Sequence, residues 1–379
     1  MRAENTTWRE DMGEPDAGAT ATVSVEDVDY HAPRTALFAA TLPEDFYAPA
    51  PAVQTAPGRD RHLDELFEGL VLGLRDYYEK VGAFERFLVA LSGGRDSALC
   101  LLIAVAAAKA FQAGAGAQHF ARHVHAAYLP NRRYSSAATE AAARALAEEL
   151  GVPFRVLAID GETHVAQQFT EELAGGADKV SALARQNLQA RIRGAVMLNW
   201  ANSVGGLVLV TSNLSEAAVG YTTTGGDNEG GFSPIANLPK TLVSRLLEYL
   251  ARRDGIAALE KVLAIPPSAE LAPDQLDEAD LMPYVVLDDL LYLYARKRLL
   301  LADCWRLLCA RHPQHAPEQL RTWTADFARR FAQSQWKRDQ HPVSLKVMDL
   351  DLDPKTGFRF PVTQSIAHEL AALQAATLD

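Results

Sequence analysis

The chain is predicted to be an α/β protein: a Rossmann-like, doubly wound parallel sheet with helices on both faces and a helical C-terminal extension. Two observations carry this. Short β-type runs at 87–91, 124–129, 154–159 and 207–211 alternate with longer helical runs at 97–111, 136–150, 181–203 and 239–252. Connections of that length suit parallel crossovers, not hairpins. In addition, the first β-type run ends directly in Ser92-Gly93-Gly94, a turn placed where such sheets bind ligands.

Composition sets the outer limits. With 379 residues and 48% hydrophobic content the chain has ample material for a core. Its 48 acidic against 37 basic residues give a net charge of −11, which disfavours nucleic acid and anionic membranes as partners. The most apolar stretch, 98–108, is about half a bilayer span, and the start is acidic where a secretory signal is basic. The expected location is the cytoplasm. Cys100, Cys304 and Cys309 lie on apolar helical patterns without CxxC spacing, so they read as core packing.

Each element follows in order. Residues 1–60 hold six of the 19 prolines and no sustained period, which predicts an irregular arm or linker. From Leu63 the pattern changes, because Leu63, Leu66, Phe67, Leu70, Leu74 and Tyr78 recur at helical spacing. Folded structure is placed at 61–379. After about Ile265 come a proline- and acid-rich loop at 266–283, Leu-rich helices to about Phe331, and an irregular tail.

Residues 87–99 run from an apolar strand through Ser92-Gly93-Gly94 into a helix. Two glycines let the backbone close around an anion, and the N–H groups of the helix start point at it. Ser92 and Ser97 add hydroxyl donors. Asp96 is out of place beside phosphate unless a divalent cation lies between, so it argues for magnesium; two glycines taken alone would favour the simpler reading, a glycine turn with a capping aspartate. Glu216 lies five residues beyond Thr211, as Asp96 lies five beyond Leu91, so both carboxylates should emerge on one sheet edge and share a metal. Glu216 also suits the simpler task of stabilising a helix start. The segment 220–227 is a glycine- and hydroxyl-rich loop too long for a plain connection. Lys240 begins a helix, where the dipole disfavours a cation unless an anion sits opposite.

The string SGGRDS at 92–97, after an apolar strand, resembles the signature of the PP-loop ATP pyrophosphatases, which cleave ATP between the α and β phosphates to adenylate a substrate. Five further blocks resemble NAD synthetase, most closely the synthetase domain of the bacterial glutamine-dependent enzymes. These are NLQARIRG (187–194), TSNLSEAAVGYTTTGGD (211–227), GGFSPIANLPKTLV (230–243), PPSAELAPDQLDEADLMPYVVLD (266–288) and QWKRDQHP (335–342). The resemblance spans about 63–362.

It implies that Ser92, Gly93, Gly94, Asp96 and Ser97 hold the ATP phosphates, that Thr211, Lys240 and Ser268 contact ATP, and that Asp96 and Glu216 bind Mg2+. It further implies that Arg191, Thr224, Asp227, Trp336 and Lys337 bind or close over deamido-NAD. An arginine on a helix such as Arg191 is by default a surface group. The implied reaction adenylates the nicotinic acid carboxylate with release of pyrophosphate; ammonia then gives NAD and AMP. Asp96, Glu216 and Lys240 would carry the catalysis. The resemblance also implies a homodimer.

Two positions depart from the family, which commonly has a basic residue at Leu214 and an acidic one at Gln186. Glutamine-dependent members carry an N-terminal glutaminase domain with a catalytic cysteine, and no cysteine precedes Cys100 here. Ammonia is therefore expected free or from a separate glutaminase subunit. Competing readings are another PP-loop adenylating amidotransferase and a non-catalytic nucleotide-binding or regulatory subunit. A tRNA-thiolating enzyme would need a basic surface and reactive cysteines. A sensor would have no need of Asp96, Glu216 and Lys240 together.

Overall fold

A computed structural model describes residues 45–47, 59–111, 122–268, 271, 275 and 277–378. These all fall within one compact unit, Thr41–Asp379. Apart from 45–47, 59 and 60, the expected N-terminal arm lies outside the described residues.

The four strands β1 (Arg86–Ala90), β2 (Val124–Tyr128), β3 (Phe154–Val156) and β4 (Gly206–Leu209) form a parallel sheet in the order β3-β2-β1-β4. The chain thus winds outward from β1 through β2 to β3, then returns to the other side of β1. The reversal opens a crevice beyond the carboxyl ends of β1 and β4, the usual ligand position in such sheets. Arg86 is paired with Gly206, and the same residue offset carried forward sets Asp96 opposite Glu216.

α1 (Arg61–Val81) precedes β1, and the helices between strands are α2 (Arg95–Ala110), α3 (Ala137–Glu149), α4 (Asp160–Ala174) and α5 (Ala182–Val204). The periodic run from Leu63 is α1, started by the Asp60 side chain accepting Leu63 N–H and stopped by Gly82 in the left-handed region. α2 follows the Ser-Gly-Gly turn and is apolar nearly all round, as a helix sandwiched between sheet and outer helices must be. Cys100 lies wholly within it, and burial raises its thiol pKa well above the ordinary value. Cys304 is also buried and Cys309 packs at the core margin, so all three cysteines serve packing.

Two local expectations are corrected. The third β run, read as 154–159, ends as strand at Val156; Val156 and Leu157 are exposed and Ile159 is buried at the start of α4. α4 itself was not anticipated, because its apolar residues Val165, Phe169 and Leu173 form a narrow stripe that faces solvent instead of the core.

Beyond β4 the chain forms α6 (Leu214–Val219), α7 (Lys240–Asp254), α8 (Ala258–Ala264), α9 (Asp277–Asp280) and α10 (Tyr284–Leu291). It continues with a π-turn at Tyr292–Arg296, then α11 (Leu301–Arg311), α12 (Pro317–Gln333), α13 (Gln335–Arg338) and α14 (Ala367–Ala375). Between α6 and α7, Gly231 N–H donates to Val208 O at 3.0 Å and Val210 N–H to Phe232 O at 2.9 Å, strapping a short segment along β4. Residues 45–47 are anchored on elements that follow β4: Phe46 stacks on Tyr292 and beneath Arg311, and Asp45 pairs with Arg245 of α7. Among the described residues no helix is long and apolar enough to cross a membrane.

Candidate active site

A cleft of about 240 Å³ opens at the sheet's switch point. Its wall includes Ser92, Gly94, Asp96, Ser97, Thr211, Glu216, Asp227, Lys240 and Ser268.

The phosphate loop is a closed hydrogen-bonded turn. Ser92 N–H donates to Ser97 Oγ at 3.1 Å, Gly94 N–H to Ser92 Oγ at 3.2 Å, and Ser97 Oγ to Gly94 O at 3.1 Å. Gly93 has φ 83°, and a Cβ there would lie 2.2 Å from the carbonyl oxygen of Thr139. Only glycine fits both the conformation and the approach of α3. No side chain caps α2, so its first N–H groups remain directed at the cleft.

Asp96, Glu216 and Lys240 converge from three helices. The Lys240 ammonium donates to Asp96 Oδ2 and, at 3.1 Å, to Glu216 Oε1. Asn213 Nδ2 donates to Asp96 Oδ1 at 2.9 Å. Glu216 does stabilise a helix start: its carboxylate accepts Asn213 N–H at 3.4 Å in a capping box, while its other oxygen accepts the Lys240 ammonium. The Lys240 side chain is only 6% exposed. Burial opposes its charge, yet Asp96 and then Glu216 more than offset that and hold its pKa above the ordinary lysine range. Burial pushes Glu216 up to about 8 despite the pull of Lys240, with Asp96 and Asp277 adding repulsion. Three carboxylates, Asp96, Glu216 and Asp277, thus bear on the single Lys240 ammonium.

That charge pattern fits magnesium. Two carboxylates already share one cation, the lysine ammonium, and two carboxylates completed by phosphate oxygens and water are the usual protein share of a Mg2+ site. Among the described residues no cluster of three or more His, Cys, Asp or Glu is arranged to hold a metal by itself.

The other expected residues are distributed around this centre. Arg191, on α5, donates through Nε to Thr224 O at 3.1 Å and does not reach the cleft wall. Asp227 Oδ1 accepts Thr223 N–H at 2.7 Å, and burial raises its pKa. Gly194 lets α5 lie against this loop, since a Cβ would come within 2.9 Å of Gly225 O. Lys337 donates to Gly220 O and Thr222 O, each at 2.6 Å, and burial lowers its pKa against the pull of Asp227. Trp336 is 54% exposed. Gly93, Arg191, Thr224, Trp336 and Lys337 therefore stand outside the cleft lining, with Lys337 tying α13 to the 220–222 backbone. Leu214, where the family commonly has a basic residue, is buried in the core and suits an apolar side chain; Gln186 is partly exposed on α5.

Sequence reasoning missed several residues. Asp277 lines the cleft and accepts the Tyr284 hydroxyl at 3.1 Å, and Tyr284 presents its ring to the Lys240 ammonium at 5.4 Å. Arg193 lines the cleft and donates to Leu129 O at 2.9 Å. The helical spacing of Ala190, Gly194 and Met197, which also line it, was the available signal for Arg193. Asp277 opens α9 in an acid-rich stretch whose contacts sequence does not show.

The family model described as NAD synthase matches residues 66–306. A glutamine-dependent NAD(+) synthetase of Aquifex aeolicus is 35% identical over 79% of this chain and 48% of its own length. One of Thermotoga maritima is 37% identical over 66% of this chain and 40% of its own. The chain thus spans about half the length of the curated relatives it matches. The crystal structure of a glutamine-dependent NAD(+) synthetase from Cytophaga hutchinsonii superposes with a TM-score of 0.71 at 26% identity, covering 82% of this chain and 56% of that one. An NH3-dependent NAD synthetase from Campylobacter jejuni shares the fold, with a TM-score of 0.52 at 21% identity over 73% of this chain and 95% of that one. On the match over 66–306, this chain belongs to the NAD synthase family.

Proposed function

We propose that this chain catalyses the ATP-dependent amidation of deamido-NAD to NAD through an adenylated intermediate, releasing pyrophosphate and AMP. The observation that carries it is the convergence of Asp96, Glu216 and Lys240 at the end of the phosphate loop. A cleft for nucleotide binding alone has no need of two buried carboxylates around a lysine.

In this reading the nicotinic acid carboxylate attacks the α-phosphorus of ATP, pyrophosphate leaves, and ammonia then displaces AMP from the acyl adenylate. The loop at 92–97 binds the phosphates through backbone N–H groups and the Ser92 and Ser97 hydroxyls. Thr211 and Ser268 hold the nucleotide from the cleft walls. Asp96 and Glu216 would hold Mg2+, which neutralises phosphate charge and acts as a Lewis acid. Lys240 turns from the carboxylates to the departing pyrophosphate, supplying positive charge where negative charge develops. Arg191, Thr224 and Asp227 seat the dinucleotide on α5 and the 220–227 loop. Trp336 and Lys337 close over the site and keep water from the adenylate. The catalytic domain runs from 61 to 379, with 1–60 as its arm or linker.

Ammonia enters free or from a separate glutaminase subunit, and the reaction belongs in the cytoplasm with its nucleotide substrates. A homodimer is part of the proposal, supported by the exposed apolar stripe of α4. The test is NAD formation from deamido-NAD, ATP and Mg2+ with ammonium or with glutamine, using Asp96→Ala as control. Activity with ammonium that the mutation abolishes is the expected result. ATP binding without NAD formation under any donor would instead favour a non-catalytic nucleotide-binding subunit.

A further inference from the structure

Glu216 and Lys240 sit on separate short-range elements, α6 and α7, and the start of α7 lacks a cap of its own. Pro239 precedes it and offers no side chain to the first-turn N–H groups. Asp288, from α10, meets that need. Its Oδ2 accepts Thr241 N–H at 2.9 Å and the Thr241 hydroxyl at 2.7 Å. Its other oxygen accepts the Ser215 hydroxyl, and Ser215 Oγ in turn accepts Lys240 N–H at 2.9 Å. One carboxylate therefore grips the residue before Glu216 and the residue after Lys240, and through Ser215 it reaches the backbone of Lys240 itself.

The node is deeply buried: Asp288 is 2% exposed and Ser215 is fully covered. A carboxylate taken that far from water is costly unless several donors meet it, so an apolar residue would be the simpler occupant if packing were the only requirement. The Asp288 backbone is fixed from the opposite side, where the Tyr47 hydroxyl donates to its carbonyl at 2.8 Å. Asp288 does not line the cleft.

We propose that Asp288 is a positioning residue: by tying Ser215 to Thr241 it sets the spacing between the Glu216 carboxylate and the Lys240 ammonium. What those two groups then do rests on the synthetase reading above. The geometric role does not.

The test compares the wild type with Asp288→Asn, Ser215→Ala and Thr241→Val by calorimetric titration with ATP, with and without Mg2+, alongside steady-state kinetics with ammonium. In Asp288→Asn the amide presents an N–H to Ser215 Oγ, whose own proton then loses its acceptor, so Ser215 shifts. The gain in ATP affinity on adding Mg2+ is expected to fall roughly tenfold, and kcat by about 10- to 100-fold, the usual cost of losing such a supporting contact. ATP affinity without Mg2+ should stay near wild type, because the hydrogen bonds of the 92–97 loop do not run through Asp288. A folded Asp288→Asn protein with lowered thermal stability but wild-type Mg2+ gain and kcat would overturn the proposal. Should that variant fail to fold, Ser215→Ala, which removes two bonds, and Thr241→Val, which removes one, add no polar group and decide it on the same measures. If the wild type binds Mg2+ and ATP yet makes no NAD, the synthetase reading fails while the calorimetric comparison still decides the role of Asp288.

Discussion

At the residue scale, Lys240 is the most informative position. It balances two buried carboxylates, and removing one member of such a set leaves uncompensated charge in the interior. Lys240→Met should therefore lower unfolding free energy by about 3–5 kcal/mol, measured by chemical denaturation. Added Mg2+ should raise the melting temperature of this variant more than that of the wild type, because a divalent ion then replaces the missing charge and stabilises only the folded state. An equal shift in both proteins would count against a metal position between Asp96 and Glu216. Asp96→Asn keeps the shape but removes the charge. With ammonium as donor it should lower kcat by about a hundredfold or more, the scale of one lost electrostatic contact in a closed site.

At the element scale, the phosphate loop makes its own prediction. Gly93→Ala must place a side chain in a left-handed conformation, at about 1–2 kcal/mol, and also against the backbone of Thr139. The loop or α3 has to shift. ATP affinity by calorimetry should fall at least about tenfold, since 1.4 kcal/mol is already a tenfold change. Retained affinity would show that the loop can open without loss.

What the sequence made legible follows from how local each signal is. The loop at 92–97 is one strand, one turn and one helix start, all contiguous; β4 ends earlier than the expected Thr211, at Leu209, but the β1–β4 register still brings Asp96 and Glu216 to one edge, where both meet Lys240. Asp288 was not readable, because it acts on Ser215 and Thr241 across 73 and 47 residues of chain. The end of β3 was overrun because residues 154–159 have strand-like composition throughout, while the exposure of Val156 and Leu157 and the burial of Ile159 are tertiary facts. Trp336 and Lys337 were placed by resemblance alone, and Lys337 spends its donors on the 220–222 backbone.

At the scale of the whole molecule, α4 leaves Phe169 64% and Leu173 90% exposed, one and two turns along from Val165, with Leu183 of α5 also exposed. If the proposed homodimer forms over this stripe, Phe169→Glu should convert the protein to monomer in sedimentation velocity at micromolar concentration while leaving its melting temperature within a few degrees. A mass unchanged from wild type would place any self-association elsewhere. The sheet itself offers little to a second copy. β3 is three residues long, and along the outer side of β4 and just past its end the strap takes the Val208 carbonyl and the Val210 N–H. Both margins are thereby blunted against strand addition, the route by which open sheets recruit foreign chains into extended aggregates. Of the described surfaces, the apolar stripe of α4 is left as the ground on which copies would meet, so their association should answer to single surface substitutions that leave intact the sheet that positions the cleft.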